Sequence, residues 1–497
     1  MPALIGRHAR SKPGALAVIE GARRVDFRAL DTLMDRVAAA LQRDGIAPRE
    51  AIALCGAAST EYLGVFLGAL RAGVSVAPLA PGSTPAQLMA MVADVGARLF
   101  VVDADVESQL DPAALPAGLR LLRLDVARLN PWLAPEGVWP EPVAIEPDWP
   151  FNVIYSSGTT GTPKGIVQSH GMRWGHVRRA ASLGYGPASV TLVSTPLYSN
   201  TTLVSVLPAL ATGGAVVLMA KFEAGRFLDL AEQHRATHAM LVPVQYQRLL
   251  AHPAFDHTDL SALSTRFCTS APFQATLKAE VLRRWPGRLI EYYGMTEGGG
   301  TCILLAHEHP DKLHTVGQPA EGHDIRLIDE QGRELAAGEA GEIVGRSETM
   351  MSGYHGQPAK TAEAEWFDAQ GHRYIRTGDV GRFDADGFLT LLDRRKDLII
   401  SGGFNVYPSD LEAVLREHPA VAEAAVVGVP SPEWGETPAA FVVLRADAQA
   451  EDIRSFVNER VGKTQRLSAL RLVAELPRSA IGKVLKRELR DTWAASS

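Results

Sequence analysis

The sequence predicts an α/β protein. A large N-terminal domain is built on a mostly parallel sheet with helices on both faces, followed by a small β-rich subdomain and a small α+β C-terminal domain. Three observations predict this. Short β-rich runs alternate with helical stretches over most of the chain, the pattern of strand–helix–strand units. From Ile325 the texture changes to short strands separated by turns such as Glu330-Gln331-Gly332 and Asp384-Ala385-Asp386-Gly387. After the charge cluster Asp393-Arg394-Arg395-Lys396-Asp397 the chain resets into a tail large enough to form its own compact domain. A length of 497 residues accommodates these units.

The elements follow in order. Residues 51–55 read as a strand, 60–71 as a helix, 74–78 as a strand, 84–95 as a helix with Pro85 near its start, and 99–102 as a strand. Residues 130–150, rich in Pro and Trp, read as a loop. The strand 151–155 then opens onto a run of small polar residues. The apolar stretch 202–220 is broken by Pro208, Gly213 and Gly214. It reads as a buried helix followed by a buried strand at 215–219, without the continuity of a membrane span. Residues 236–244 and 288–293 read as buried strands, and 325–328, 341–344 and 387–392 as the strands of the β-rich subdomain. In the tail, Pro408-Ser409-Asp410 starts a helix with Ser409 as N-cap. Residues 422–429 and 439–444 read as strands, and 451–461 as a helix. The sequence shows no internal repeat and no low-complexity segment.

Composition narrows the function. Hydrophobic residues are 46% and charged residues 21%, which is ordinary for a globular chain. Fifty basic against 56 acidic residues leave a formal charge of −6, with no footprint for nucleic acid. Cys55, Cys268 and Cys302 are too few and scattered for a disulfide framework or a zinc site, so a reducing compartment is expected. The N-terminal residues carry charge early and do not read as a signal peptide. The expectation is a soluble, cytoplasmic protein with no transmembrane segment.

The chemistry starts at Tyr155-Ser-Ser-Gly-Thr-Thr-Gly-Thr-Pro-Lys164-Gly165. Ser156, Ser157, Thr159, Thr160 and Thr162 supply hydroxyls, Gly158 and Gly161 supply backbone freedom, and Lys164 supplies charge. Such a loop can curl N–H groups and hydroxyls around phosphate oxygens. A Ser/Thr/Gly-rich linker is the bland alternative, but the position directly after an apolar strand favours phosphate binding. No Gly-Lys-Ser/Thr follows four spacer residues, so this is not a Walker P-loop, and kinase and ATPase readings lose support. No Gly-x-Ser-x-Gly elbow points to a serine hydrolase. His307-Glu308-His309 could suggest a metal, but two histidines in a polar loop are more often solvated. His170 reads as structural.

This string resembles the phosphate loop of the adenylate-forming superfamily, which includes acyl- and aryl-CoA synthetases, beetle luciferases and peptide-synthetase adenylation domains. Further motifs of that family follow in order: Tyr292-Tyr293-Gly294-Met295-Thr296-Glu297, Tyr374 to Asp379, Asp393 to Asp397, Gly402 to Pro408, and Pro477 to Lys483. The resemblance covers nearly the whole chain. It implies layered parallel sheets in an N-terminal domain (1–393) that binds the adenylate, and a small mobile C-terminal domain (394–497).

The resemblance also implies roles. Tyr293 stacks on adenine, Thr296 bonds the α-phosphate, Glu297 ligands Mg²⁺, and Asp379 accepts bonds from the ribose hydroxyls. Lys483 is the catalytic choice, because a mobile ammonium lowers the barrier when an anionic carboxylate attacks the α-phosphate of ATP. Without the resemblance, Lys483 beside Lys486 and Arg487 reads as a solvated lysine. Lys396 matches the pivot of a domain rotation, Arg394 an arginine that meets the ribose, and Gly402 and Gly403 the glycines of a pantetheine tunnel. Trp434 matches a tryptophan near the CoA nucleotide, with half-buried packing of the small domain as its alternative. Lys463 and Arg466 could meet CoA phosphates, although the Lys-x-Pro pattern usual there is missing.

The acyl pocket implied by the resemblance includes Tyr198, Ser199, Val242, Ser270, Ala271, Gly294, Gly298 and Gly299. Between Pro196 and Ala220 no residue is charged, which disfavours amino acids and dicarboxylates and leaves an aromatic or medium-chain aliphatic tail. Ser199 stands where many CoA ligases carry an aromatic residue or His, and the glycines 298–300 remove side chains from one wall. Both are expected to make room for a bulky acyl group. The expected reaction is carboxylate–CoA ligation through an acyl-adenylate, with ATP, Mg²⁺ and coenzyme A. Two alternatives remain: an acyl-AMP ligase that loads a carrier protein, and a nucleotide-binding protein without turnover. The expected partners are a small carboxylic acid and CoA, with no nucleic acid, and a homodimer is among the expected assemblies.

Overall fold

Strand–helix alternation in the first three hundred residues folds into two sheets with helices packed between them. The computed structural model describes residues 1–156, 164–394, 397–401, 404–431, 434–462, 465–479 and 482–495. The side chains of Ala114, Ser156, Arg394, Phe404 and Asn405 lie outside that description. The chain divides into two compact units, one formed by Met1–Leu313, Pro319–Asp324 and Gly345–Ile375, the other by His314–Gln318, Ile325–Val344 and Arg376–Ser497.

In the first unit one sheet has a parallel centre in the order Arg288–Tyr293, Thr265–Cys268, His238–Leu241, Val190–Val193, Ala215–Leu218 and Leu16–Glu20. Cys302–Leu305 and Arg23–Asp26 flank it antiparallel. The second sheet runs Gly353–Tyr354, Lys164–Ser169, Pro150–Ser156, Ser75–Leu79, Ala51–Cys55, Leu99–Val102 and Arg120–Arg123. Helices Phe27–Arg43, Thr60–Arg71 and Asn200–Ala211 share one continuous apolar core with strands of both sheets, including Phe66, Leu207, Ile52, Val193 and Phe267. Burying each such side chain stabilises the unit by about 1.5–3 kcal/mol. The parallel strands are buried on both faces, so Ala51–Cys55 and Leu99–Val102 read as unbroken apolar runs, while His238–Leu241 and Thr265–Cys268 also bury His238, Thr265 and Arg266.

The second unit holds the β-rich strands in the order 325–328, 341–344, 376–383 and 389–394. It also holds a second sheet of Phe404–Val406, Ile399–Ser401, Gly435–Leu444 and Val421–Ser431, with Ala469–Leu472 beside Gly435–Leu444. Helices Pro408–Glu417 and Ala450–Asn458 bury Leu411, Leu415, Ile453 and Val457 with strand residues Val426 and Val442. Phe441 and Val427 face Leu476 and Leu489 in a separate cluster.

Two local expectations change. The strand expected over 236–244 ends at Leu241, because Val242 is extended before Pro243 and Pro243 opens the helix Pro243–Leu250. Ser409 is not the N-cap of its helix. Tyr407 holds that position, while the Ser409 hydroxyl donates to the Leu392 carbonyl and its N–H donates to the Asp393 carboxylate at 2.9 Å. Part of the charge cluster thus fastens this helix to the strand Leu389–Arg394.

Candidate active site

The parallel register puts the carboxyl ends of four neighbouring strands, Val193, Leu241, Cys268 and Tyr293, along one edge of the first sheet. That edge is where open α/β sheets take ligands. The segments that leave it carry Tyr198, Ser199, Val242, Ser270, Ala271, Gly294, Thr296 and Glu297. The topology therefore gathers the expected acyl-pocket and nucleotide residues of the first unit.

Several have defined surroundings. Ser199 is buried at the start of the helix Asn200–Ala211. Val242 is buried, and its N–H donates to Gln245 Oε1 at 3.1 Å. Ser270 has φ +80, a left-handed conformation uncommon for a residue with a Cβ, and its hydroxyl shares a 2.6 Å hydrogen bond with Thr201. Tyr293 is half-buried at the end of its strand, opposite Cys302. That strand is anchored by a buried ion pair between Lys278 and Glu291, with Lys278 Nζ also donating to the Leu313 carbonyl at 2.9 Å. Burial pushes the Glu291 carboxyl up to about 7, although Lys278 opposes the shift.

Glu297 and Lys164 meet through a residue the sequence did not single out. The Tyr354 hydroxyl donates to Glu297 Oε1 at 2.9 Å, and Lys164 Nζ stands 5.0 Å from the centre of the Tyr354 ring. Tyr354 reaches both because Gly353–Tyr354 pairs with Ile166 and Val167, next to Lys164 on the same strand. Its only signal was an aromatic residue in a Gly-rich segment, which sequence reading cannot tell from an ordinary core tyrosine.

The glycines after Glu297 answer to the backbone. Gly298 has φ +76, and a Cβ there would sit 1.9 Å from the Thr349 carbonyl oxygen. Gly299 has φ +87, and its Cβ would sit 2.7 Å from the Gly345 carbonyl oxygen. Close packing against 345–349 therefore requires glycine at both positions, whichever acyl group the pocket takes.

In the second unit, the Asp379 N–H donates to Thr377 Oγ1 at 3.0 Å, and Thr377 donates to the Ile343 carbonyl at 2.9 Å. Asp379 pairs across the ladder with Arg394. Lys483 sits in a tight turn: Gly482 has φ +78, the Lys483 N–H donates to Ser479 Oγ at 3.2 Å, and the Lys483 carbonyl accepts from the Ser479 N–H at 2.8 Å. The nearby Lys486 is held in a 2.8 Å ion pair with Glu412. Trp434 is 37% exposed, and its backbone N–H donates to Ser431 Oγ at 3.3 Å. Ser157, Gly158, Thr159, Thr160, Gly161, Thr162, Lys396, Gly402, Gly403 and Lys463 lie outside the described residues, and Ser156 and Arg394 are described by backbone alone.

Elsewhere in the first unit, His170 is packed edge-on against Phe151 at 5.0 Å, and burial drives its imidazole down to about 4. His307 contacts Glu308 and the Leu289 carbonyl, and among the described residues no three potential ligands cluster as a metal site. No helix among them is long and apolar enough to cross a membrane.

Comparison with known proteins decides the family. The AMP-binding enzyme family matches residues 5–355, and the AMP-binding enzyme C-terminal domain matches residues 410–483. This chain belongs to the AMP-binding enzymes. A feruloyl-CoA synthase from Amycolatopsis sp is 34% identical over 97% of both chains. The fatty acid–[acyl-carrier-protein] ligase ScoC of Streptomyces coeruleorubidus is 32% identical over 99% of this chain and 96% of its own. Among solved structures, ATP-bound MatB from Rhodopseudomonas palustris superimposes with a TM-score of 0.89 at 29% identity, covering 99% of each chain. The adenylate-forming resemblance and the mixed α/β architecture are both upheld.

Proposed function

We propose that this protein is an ATP-dependent carboxylate–CoA ligase acting through an acyl-adenylate on an aromatic or medium-chain hydrophobic monocarboxylic acid. It is an AMP-forming acid–thiol ligase, and ATP and CoA are its co-substrates. The observation that carries the reading is the convergence of Lys164 and Glu297 on Tyr354. A phosphate-seeking cation and a carboxylate are thereby held on one scaffold.

In this reading the hydroxyl-rich loop from Ser156 to Lys164 cradles the phosphates, and Thr296 bonds the α-phosphate. Glu297 offers an oxygen to Mg²⁺, a hard cation usually bound by one or two carboxylates and substrate phosphates. Bound there, the ion neutralises phosphate charge. The Tyr354 hydroxyl keeps the Glu297 carboxylate in one orientation. Tyr293 holds adenine, and Asp379 and Arg394 hold the ribose. Lys483 brings its ammonium to the oxygens that gain charge as the carboxylate attacks. Residues 394–497 then pivot about Lys396, so that Gly402, Gly403 and Trp434 guide CoA to the adenylate. Uncharged pocket residues Tyr198, Ser199, Val242, Ala271 and Ser270 support a neutral acyl tail.

Three buried, unpaired cysteines support a cytoplasmic setting. Light scattering after gel filtration tests the homodimer. A second reading, transfer to a carrier protein, draws on the likeness to ScoC. A panel of benzoates, cinnamates and C4–C12 fatty acids, assayed with CoA and with a phosphopantetheinyl carrier, tests both. Thioester on CoA is expected, and acylation of the carrier alone would establish the second reading.

A further inference from the structure

Arg173 is buried in the first unit, 2% exposed, and among the described residues no carboxylate pairs with it. A guanidinium without a counter-charge is costly to hold away from water. Here three amide oxygens hold it, each from a different element. Nε donates to Asn152 Oδ1 at 2.9 Å, Nη1 donates to Asn200 Oδ1 at 2.8 Å, and Nη2 donates to Gln168 Oε1. Asn152 Nδ2 also donates to Gln168 Oε1 at 2.9 Å, and Asn152 and Gln168 are fully buried. The chain of bonds has two outlets. Gln168 Nε2 donates to the Thr296 carbonyl at 2.6 Å, and Asn200 follows Ser199 at the start of the helix that borders the acyl segment.

Leucine at this one position would leave three amide oxygens without their donor, so the arginine and its cage act as one unit, whereas an all-apolar cluster of the same shape would avoid the desolvation cost altogether. We propose that Arg173 is a positioning residue. Its rigid fork fixes Gln168 and Asn200 together, so that the Thr296 loop and the start of the acyl-pocket helix are set by one group. The ligand roles at those two ends rest on the function proposed above. Arg173 touches no reacting atom in this account. It orders the groups that do, and its charge stays inside a cage of neutral oxygens.

Gln168→Glu separates this role from packing. The carboxylate gives Arg173 an anionic partner and keeps the volume, but it puts an acceptor oxygen where Gln168 Nε2 donates to the Thr296 carbonyl at 2.6 Å and to Asn200 Oδ1 at 3.4 Å. The full-length chain is followed by melting temperature, by the rise in melting temperature on adding ATP with Mg²⁺, and by acid-dependent ATP–pyrophosphate exchange. The expected result for Q168E is a chain that still melts cooperatively without ligand and shows less than half the wild-type ATP-induced rise. Exchange kcat should fall at least about tenfold, with KM for the acid changed less than about threefold. Arg173→Lys retains the charge without the fork and is expected to show the same kinetic pattern at a lower melting temperature. A Q168E protein with the wild-type ATP response and wild-type kcat overturns the proposal, whether or not the Arg173 variant folds. If the wild-type chain responds to ATP but exchanges with no acid, the ligase reading falls, and the ATP response of Q168E still decides the role of Arg173.

Discussion

Replacing Lys278 by methionine tests how the strand that delivers Tyr293 is held. The change removes an ammonium that pairs with Glu291 and bonds the Leu313 carbonyl, at a site where Lys278 is 2% and Glu291 5% exposed. Breaking one side of a buried pair typically costs about 3–5 kcal/mol, because the remaining charge is left without compensation. Here the penalty should depend on pH. Burial raises the Glu291 carboxyl to about 7, above its ordinary value of 4.5. A raised carboxyl means the folded state binds the proton that the unfolded state releases, so this group lowers stability as pH climbs from 4.5 through 7. Without Lys278 the carboxyl is held protonated to higher pH, and the fall continues further into the alkaline range. Urea unfolding followed by tryptophan fluorescence should therefore show a K278M deficit that is large near about pH 8 and clearly smaller near about pH 5. Lys278→Met with Glu291→Leu should recover most of the loss, since well-packed apolar pairs commonly match buried ion pairs. A deficit below about 1 kcal/mol at both pH values, or one that grows in acid, would refute this reasoning.

Other variants probe the site directly. Gly298→Ala places a methyl group against the Thr349 carbonyl at positive φ and should cost about 2 kcal/mol or more; full stability in the same unfolding assay would contradict the packing account. Lys483→Ala should slow adenylation by about 10²–10³-fold while thioester formation from supplied acyl-adenylate survives, and equal losses in both steps would contradict its role. Ser199→His should narrow the range of accepted acids, whereas unchanged relative kcat/KM across the panel would remove Ser199 from specificity.

Much of this architecture was legible because its signals are local. Buried parallel strands such as Ala51–Cys55 and Leu99–Val102 appear as unbroken apolar runs, and the motif strings sit just after or between strands. What the sequence concealed depends on distant neighbours. Tyr354 acts on Glu297 across 57 residues, and Gln168 on Thr296 across 128. Arg173 carries no local signal, because nothing in its own stretch of sequence says that Asn152 and Asn200 will enclose it. Gly298 and Gly299 suggested open space, since a glycine demanded by a neighbouring backbone and one demanded by a ligand look alike in sequence. The helix start at Pro243 was the local signal passed over: a proline after an extended residue outweighs an apolar run.

The most direct test of the account is ATP–pyrophosphate exchange by the purified chain with Mg²⁺ across the acid panel. The account predicts exchange that depends on a hydrophobic monocarboxylic acid and disappears when the acid is omitted. Nucleotide binding without exchange, for every acid supplied, would contradict it.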